Sequence, residues 1–195
     1  MELLEDSIVP EEVRAVKAEA REFAQEHIAP AAAEYYASGE YPWEILEAGM
    51  EAGLVAQDVP EEYGGRGLSL AEVLAIAEEF YRADAGIALT LQLASFGAEI
   101  VYEHGSEEQI EEYVRPVAEN DQITGLAVSE PETGSDLAGM ATTAEKDGDE
   151  YVLNGEKYWI GNGVEADWVT VYAKTGDDEN NRYGNYSMFI VPTDT

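Results

Sequence analysis

Near Asn120 the apolar residues change period, and that change fixes the fold class more firmly than any other feature of the chain. Upstream the period is helical. Val13, Val16, Ala20, Phe23 and His27 recur every three or four residues behind Pro10-Glu11-Glu12, which suits a helix start. Trp43, Leu46 and Met50 make a short second face closed by Gly53. Ser69-Leu70-Ala71-Glu72 and Ser106-Glu107-Glu108-Gln109 are capping boxes, opening helices to about Arg82 and Val117. Residues 84–104 carry almost no charge before Glu99 and read as one helix buried on most sides, with Gly105 ending it. His27 and His104 fall in expected last turns, where charge–dipole attraction accounts for them without catalysis.

Downstream the period is two. Ile123–Ser129, Thr142–Glu145, Tyr151–Asn154, Lys157–Ile160, Trp168–Ala173 and Tyr186–Val191 read as strands, with hairpin turns at Asp147-Gly148 and Asn154-Gly155 and a polar loop over Lys174–Gly184. Helices first and strands second give an α+β chain: an all-α helical domain over residues 1–120, then an antiparallel β-barrel or sandwich domain over 121–195. A sheet ending soon after Val191 has an uncovered edge, so the whole protein is expected to continue.

Charge decides which partners are excluded. Acidic residues number 42 against 10 basic, a net charge of −32, and they are spread along the chain rather than gathered in a tail. Such a surface repels nucleic acid and anionic membranes, and a compact state this charged needs screening, which points to a halophilic protein. There is no run of 18 apolar residues, no membrane insertion is expected, and the acidic start Met1–Asp6 lacks a basic leader, so a cytoplasmic location is the working expectation. With no cysteine there are no disulfides, thiolate zinc sites or cysteine nucleophiles, and no metal constellation stands out.

Two segments carry candidate chemistry. Gly125-Leu126-Ala127-Val128-Ser129-Glu130-Pro131-Glu132-Thr133-Gly134-Ser135-Asp136 is a strand running into a tight Gly/Ser/Asp turn, whose N–H groups and hydroxyl suit an anion. Alone, such a turn is more often only a turn. Asn154-Gly155-Glu156-Lys157-Tyr158-Trp159-Ile160-Gly161-Asn162-Gly163 reads as a hairpin carrying a large aromatic, and Trp159 alone reads as core packing.

Together the segments resemble the acyl-CoA dehydrogenase family, in which a Ser/Thr-Glu-Pro stretch and a Gly-Ser-Asp turn precede a Trp-Ile-x-Asn-Gly stretch by about thirty residues. Pro60-Glu61-Glu62-Tyr63-Gly64-Gly65 is similar to a loop of that family's N-terminal domain. The resemblance implies FAD as cofactor and α,β-dehydrogenation of an acyl-CoA thioester, as in fatty acid or amino acid catabolism. It places Leu126, Val128 and Ser129 along the flavin, Gly134 and Ser135 at the phosphates with Ser135 also facing substrate, Trp159 over the ring, and Ile160 and Gly161 beside it. It also implies an electron-transfer flavoprotein partner, a homodimer or homotetramer, and a missing C-terminal helical bundle holding the catalytic base beyond residue 195, so the chain alone is expected to be inactive. Gly161 replaces the commoner Thr and opens room beside the flavin, which leaves an acyl-CoA oxidase as a lesser alternative. A non-enzymatic remnant, or half of a split gene, is the other.

Overall fold

The structure, a computed structural model, describes residues 9–178, 180 and 184–195. The acidic start at 1–6 and the centre of the 174–184 loop lie outside the described residues. The chain divides into two compact units, 1–122 and 123–195.

The first unit is helical. Its opening helix, α1 (Glu11–Phe23), starts behind Pro10 with Glu11 and Glu12 in the first turn, where carboxylates complement the helix dipole. Val13, Val16, Ala20 and Phe23 point into the core as their spacing demands. The helix does not end at His27. It passes through one π turn (Ala24–Ile28) into α2 (Ala29–Ser38), closed by Gly39 in the left-handed region at φ 70°. The His27 ring stacks on Phe23 with centroids 4.7 Å apart, so packing takes the place of the expected end-of-helix role.

The π turn has a visible cause. Pro30 follows it, and a proline in a regular helix lacks its N–H and crowds the carbonyl four residues earlier, here Glu26, inside the wide turn. The same device recurs at Pro116, which follows a second π turn at Ile110–Val114 containing Glu112.

Helix α3 spans Trp43–Glu51. Helix α4 (Leu70–Ala83) opens on the expected capping box, with the Ser69 hydroxyl accepting from the Glu72 N–H and the Glu72 carboxylate accepting from the Ser69 N–H at 2.8 Å. The single helix expected over 84–104 is two: α5 (Ala85–Gln92), capped by Asp84, and α6 (Ala98–His104), entered through Gly97 at φ 106°. That left-handed residue forces the break, and the Glu99 carboxylate accepts the Gly97 N–H at 2.7 Å. His104 does sit in the last turn of α6. The second capping box opens α7 (Glu107–Gln109), and the π turn then leads to α8 (Arg115–Ala118). Phe80, Ile28, Leu46, Leu54, Ile76 and Leu91 are fully buried.

Charge also enters this interior. Lys17, 4% exposed, sets its Nζ 3.0 Å from Glu78 and 3.8 Å from Glu79, while Arg21 grips Glu79 with two bonds of 2.9 and 3.1 Å.

The second unit carries β1 (Thr124–Ala127), β2 (Thr143–Asp147), β3 (Glu150–Asn154), β4 (Trp168–Lys174) and β5 (Tyr186–Pro192) in one sheet. The sheet is mixed rather than wholly antiparallel. β1 and β4 run parallel, with Thr124 opposite Trp168, and Thr143 of β2 pairs parallel with Lys174. The β2–β3 and β4–β5 pairs are antiparallel. Asp147-Gly148 makes the β2–β3 hairpin turn, with Gly148 at φ 65° and Asp147 opposite Glu150.

Asn154-Gly155 makes no hairpin, and Lys157–Ile160 is not a strand. A side chain on Gly155 would fall 2.7 Å from Thr142 Cα, so the chain presses against the start of β2 there and then turns toward the end of β1. Trp159, at φ 59°, breaks the extended conformation outright.

Candidate functional site

The two motif segments meet beyond the end of β1. The Tyr158 N–H donates to the Ser129 carbonyl at 2.8 Å. Deeper in β1, a Cβ on Gly125 would lie 2.8 Å from the Gly161 carbonyl oxygen and 3.3 Å from Ile160 Cγ2, so only glycine permits this approach.

Charge ties the same place together. The Lys157 ammonium donates to the Val128 carbonyl at 3.0 Å and to Glu130 Oε1 at 2.9 Å, with Met140 Sδ 3.6 Å away. Glu130, 8% exposed, also accepts from the Ala141 N–H at 2.6 Å and the Thr142 N–H at 3.0 Å. Burial pushes the Glu130 carboxyl up, but the donors from Ala141, Thr142 and Lys157 outweigh it and hold the group at about 2. Glu130 and Thr133 exchange backbone hydrogen bonds of 2.8 and 3.2 Å, which shapes the turn beyond.

Trp159 departs from core packing. Its side chain is 91% exposed, edge-on to Tyr158 at 5.9 Å between centroids, and the buried tryptophan of this unit is Trp168. A bulky residue in the left-handed region costs about 1–3 kcal/mol, and an exposed indole buries little to offset it. Both features fit a platform for a ligand. Asn162, at φ 60°, shares the conformation at less cost, since asparagine tolerates it.

The other expected site residues take distinct places. Leu126 lies in β1, with Val128 and Ser129 just past its end, all three half-buried. Ile160 and Gly161 follow the platform, packed toward Gly125. Gly134 and Ser135 are exposed on the loop leaving Thr133, where nothing would meet a side chain on Gly134 within 4 Å. Tyr186 of β5 anchors that loop, its hydroxyl donating to the Ala138 carbonyl at 2.7 Å. Sequence reasoning missed the Lys157–Glu130 pair and Tyr186. The available signal was Lys157 itself, one of four lysines in so acidic a chain and next to the aromatic pair.

The residues present fit a flat, anion-bearing ring cofactor: an open aromatic platform, a glycine-walled approach, a serine hydroxyl and an exposed Gly-Ser loop, all within the second unit. Among the described residues no group of three or more His, Asp or Glu side chains could hold a metal ion.

A helical unit leading into a mixed β unit, with an outward-held tryptophan beside a braced strand end, defines an α+β protein. The family model described as the acyl-CoA dehydrogenase N-terminal domain matches residues 10–121, and the one described as the middle domain matches residues 125–195. The chain belongs to the acyl-CoA dehydrogenase family.

A curated relative from Caenorhabditis briggsae, named probable medium-chain specific acyl-CoA dehydrogenase 2, mitochondrial, is 36% identical over 92% of this chain and 44% of its own length. A Mycobacterium smegmatis glutaryl-CoA dehydrogenase solved in complex with FADH2 superposes with a TM-score of 0.88 at 31% identity, covering 97% of this chain and 47% of that one. A structure titled electron transferring flavoprotein of Acidaminococcus fermentans gives 0.86 at 33% identity, covering 99% and 50%. The chain thus spans about half the length of the relatives it matches.

Proposed function

We propose that residues 1–195 are the helical and central β portion of an FAD-dependent acyl-CoA dehydrogenase. The observation that carries this reading is the exposed, left-handed Trp159 held beside Ser129 by the Tyr158 hydrogen bond. FAD bound there supplies the acceptor for a hydride from the β-carbon of an acyl-CoA thioester. Trp159 covers one face of the ring, with Ile160 beside it. Leu126 and Val128 line its edge, while the Ser129 hydroxyl donates toward the electron-rich side, where a donor is worth more once negative charge has developed. The Gly161 N–H faces the ring without a side chain in the way. Gly134 and Ser135 offer backbone donors to the phosphates, and Ser135 also faces the thioester substrate.

The carboxylate that takes the α-proton is proposed to lie outside residues 1–195. Relatives about twice as long support this; a helical bundle that completes the site and a homodimeric or homotetrameric assembly are proposed with it. An electron-transfer flavoprotein is the proposed electron acceptor, supported by the Acidaminococcus likeness. Among the described residues no helix is long and apolar enough to cross a membrane; a halophilic setting is proposed from the charge, and a cytoplasmic location is kept as the working proposal.

Titrating the 195-residue chain with FAD in molar KCl tests the reading. Flavin fluorescence should be quenched, and Trp159→Ala should abolish most of the quench. An acyl-CoA added without oxygen should leave the visible flavin band intact. Absence of quenching at saturating FAD sinks the cofactor assignment, and bleaching of the band sinks the proposed location of the base.

A further inference from the structure

We propose that the buried Lys157–Glu130 ion pair is a positioning device that sets Ser129 and Trp159 in register with each other, and so shapes the cofactor cradle before any ligand arrives. The inference rests on the FAD reading above.

The segments it joins do not share a strand ladder. After Ala127 the chain leaves β1, and residues 157–160 are not a strand, so no repeating row of backbone bonds fixes their register. The ammonium does this instead. Lys157 grips the residue before Ser129 through the Val128 carbonyl, and the residue after it through the Glu130 carboxylate. Ser129 is thereby bracketed, while Trp159 stands two residues beyond the bracketing lysine. The Tyr158 N–H closes the same ring onto the Ser129 carbonyl at 2.8 Å.

Satisfaction of the pair favours this role over incidental burial. An ammonium has three donors, and three acceptors surround Lys157: Val128 O, Glu130 Oε1 and Met140 Sδ. Both carboxylate oxygens of Glu130 are used, and they reach the N–H groups of Ala141 and Thr142 at the entry to β2. One pair therefore locks the end of β1, the entry to β2 and the platform segment. The lysine side chain is 10% exposed, so one of only four lysines in a chain of net charge −32 is spent away from the surface. A buried pair adds little net stability compared with apolar residues, and its best-attested use is to specify one arrangement.

Amide hydrogen exchange and FAD titration of the 195-residue chain in molar KCl test this on Lys157→Met, Glu130→Gln, the combined double variant and Lys157→Arg. The double variant removes both charges and keeps the fold testable if either single change fails to fold. In it, exchange at Tyr158, Ala141 and Thr142 should quicken by about tenfold or more, while amides of the β4–β5 ladder such as Val169 and Val191 stay unchanged. The FAD dissociation constant should rise about tenfold, and Lys157→Arg should restore both readouts. Uniform quickening across β4 and β5 would reduce the pair to ordinary stabilisation and overturn the proposal. So would unaltered FAD affinity in a folded double variant. If the unaltered chain binds no FAD, the flavin reading fails separately, and the exchange pattern alone decides whether the pair sets the register.

Discussion

A methyl group on Gly125 would stand 2.8 Å from the Gly161 carbonyl oxygen and 3.5 Å from Val169 Cγ1, so β1 and the platform segment touch through a gap that admits hydrogen alone. Gly125→Ala must therefore push the 160–161 backbone outward or shift β1 against β4. Overpacking of this kind costs about 1–3 kcal/mol. We expect a lower denaturant midpoint in molar KCl, and an FAD affinity reduced further than that of a Glu145→Ala control, exposed on β2 and outside the proposed site. Equal behaviour of the two variants would show that the close approach is unimportant.

The charges buried between α1 and α4 predict an asymmetry. Lys17 is almost fully enclosed between Glu78 and Glu79, whereas the Arg21 side chain is 42% exposed. Lys17→Ala takes the 3.0 Å ammonium from the enclosed Glu78, although Glu79 keeps Arg21, and should destabilise the chain by about 3 kcal/mol. Arg21→Ala lets water reach Glu79 and should cost about 1 kcal/mol, nearer the value of an exposed pair. Urea unfolding followed by circular dichroism in molar KCl separates them. A larger loss for Arg21 would mean that the bidentate geometry, not enclosure, governs this cluster.

What could be read from the sequence was whatever local chemistry alone determines. Ser69 and Ser106 cap helices because their partners lie three residues away, and Asp147-Gly148 turns because glycine takes the left-handed conformation that the hairpin needs. The pairing of Ser129 with Trp159 was legible as a resemblance. The misreadings came from tertiary demands. Period two runs through Lys157–Ile160, yet the Thr142 and Gly125 contacts and the Lys157 bracket bend that stretch out of the sheet. Residues 85–98 lack charge throughout, so nothing in their polarity marked the left-handed Gly97. The π turns before Pro30 and Pro116 were equally hidden, because a proline in a helical pattern normally signals a stop rather than a widened turn. Parallel pairing of β1 with β4 joins residues more than forty apart, which no local pattern encodes.

Two carboxylates should titrate stability in opposite directions. Glu130 sits at about 2 against an ordinary value of 4.5, so its stabilising effect is complete above the ordinary carboxylate range and is lost as pH falls from there through 2. The stability gap between the unaltered chain and Glu130→Gln should therefore shrink by on the order of 3 kcal/mol between pH 6 and 2. Burial raises Glu99, with Asp58 and Glu103 adding to it, against the bond from the Gly97 N–H. Its folded form holds the proton to higher pH than the unfolded form, which lowers stability once pH rises through that raised value. Glu99→Gln keeps an acceptor for Gly97 and should stabilise at neutral pH, with the advantage fading in acid. Thermal melts across pH decide both, and a Glu99→Gln variant less stable at pH 7 contradicts the second.

Screening gives the last prediction its sign. At a net charge of −32, repulsion among exposed carboxylates acts over about 10 Å at 0.1 M salt and about 3 Å at 1 M. The midpoint of thermal unfolding should climb by at least ~10 °C from dilute to molar KCl. Sucrose at matched osmolality should give less, since it strengthens burial without screening. A charge variant separates screening from general salting-out. Glu107 and Glu108 on α7 and Glu112 on the π turn after it are exposed and crowded, and Glu107 and Glu108 also occupy a helix first turn where negative charge is favourable. Replacing all three by glutamine should stabilise the chain in dilute buffer, where relief of repulsion dominates. In molar KCl the same change should alter stability by no more than a few tenths of a kcal/mol, because screening weakens the repulsion and the helix-end attraction alike. The two melting curves against salt should converge. Parallel curves, with the variant equally stabilised at every KCl concentration, would show that salt acts on burial rather than on charge.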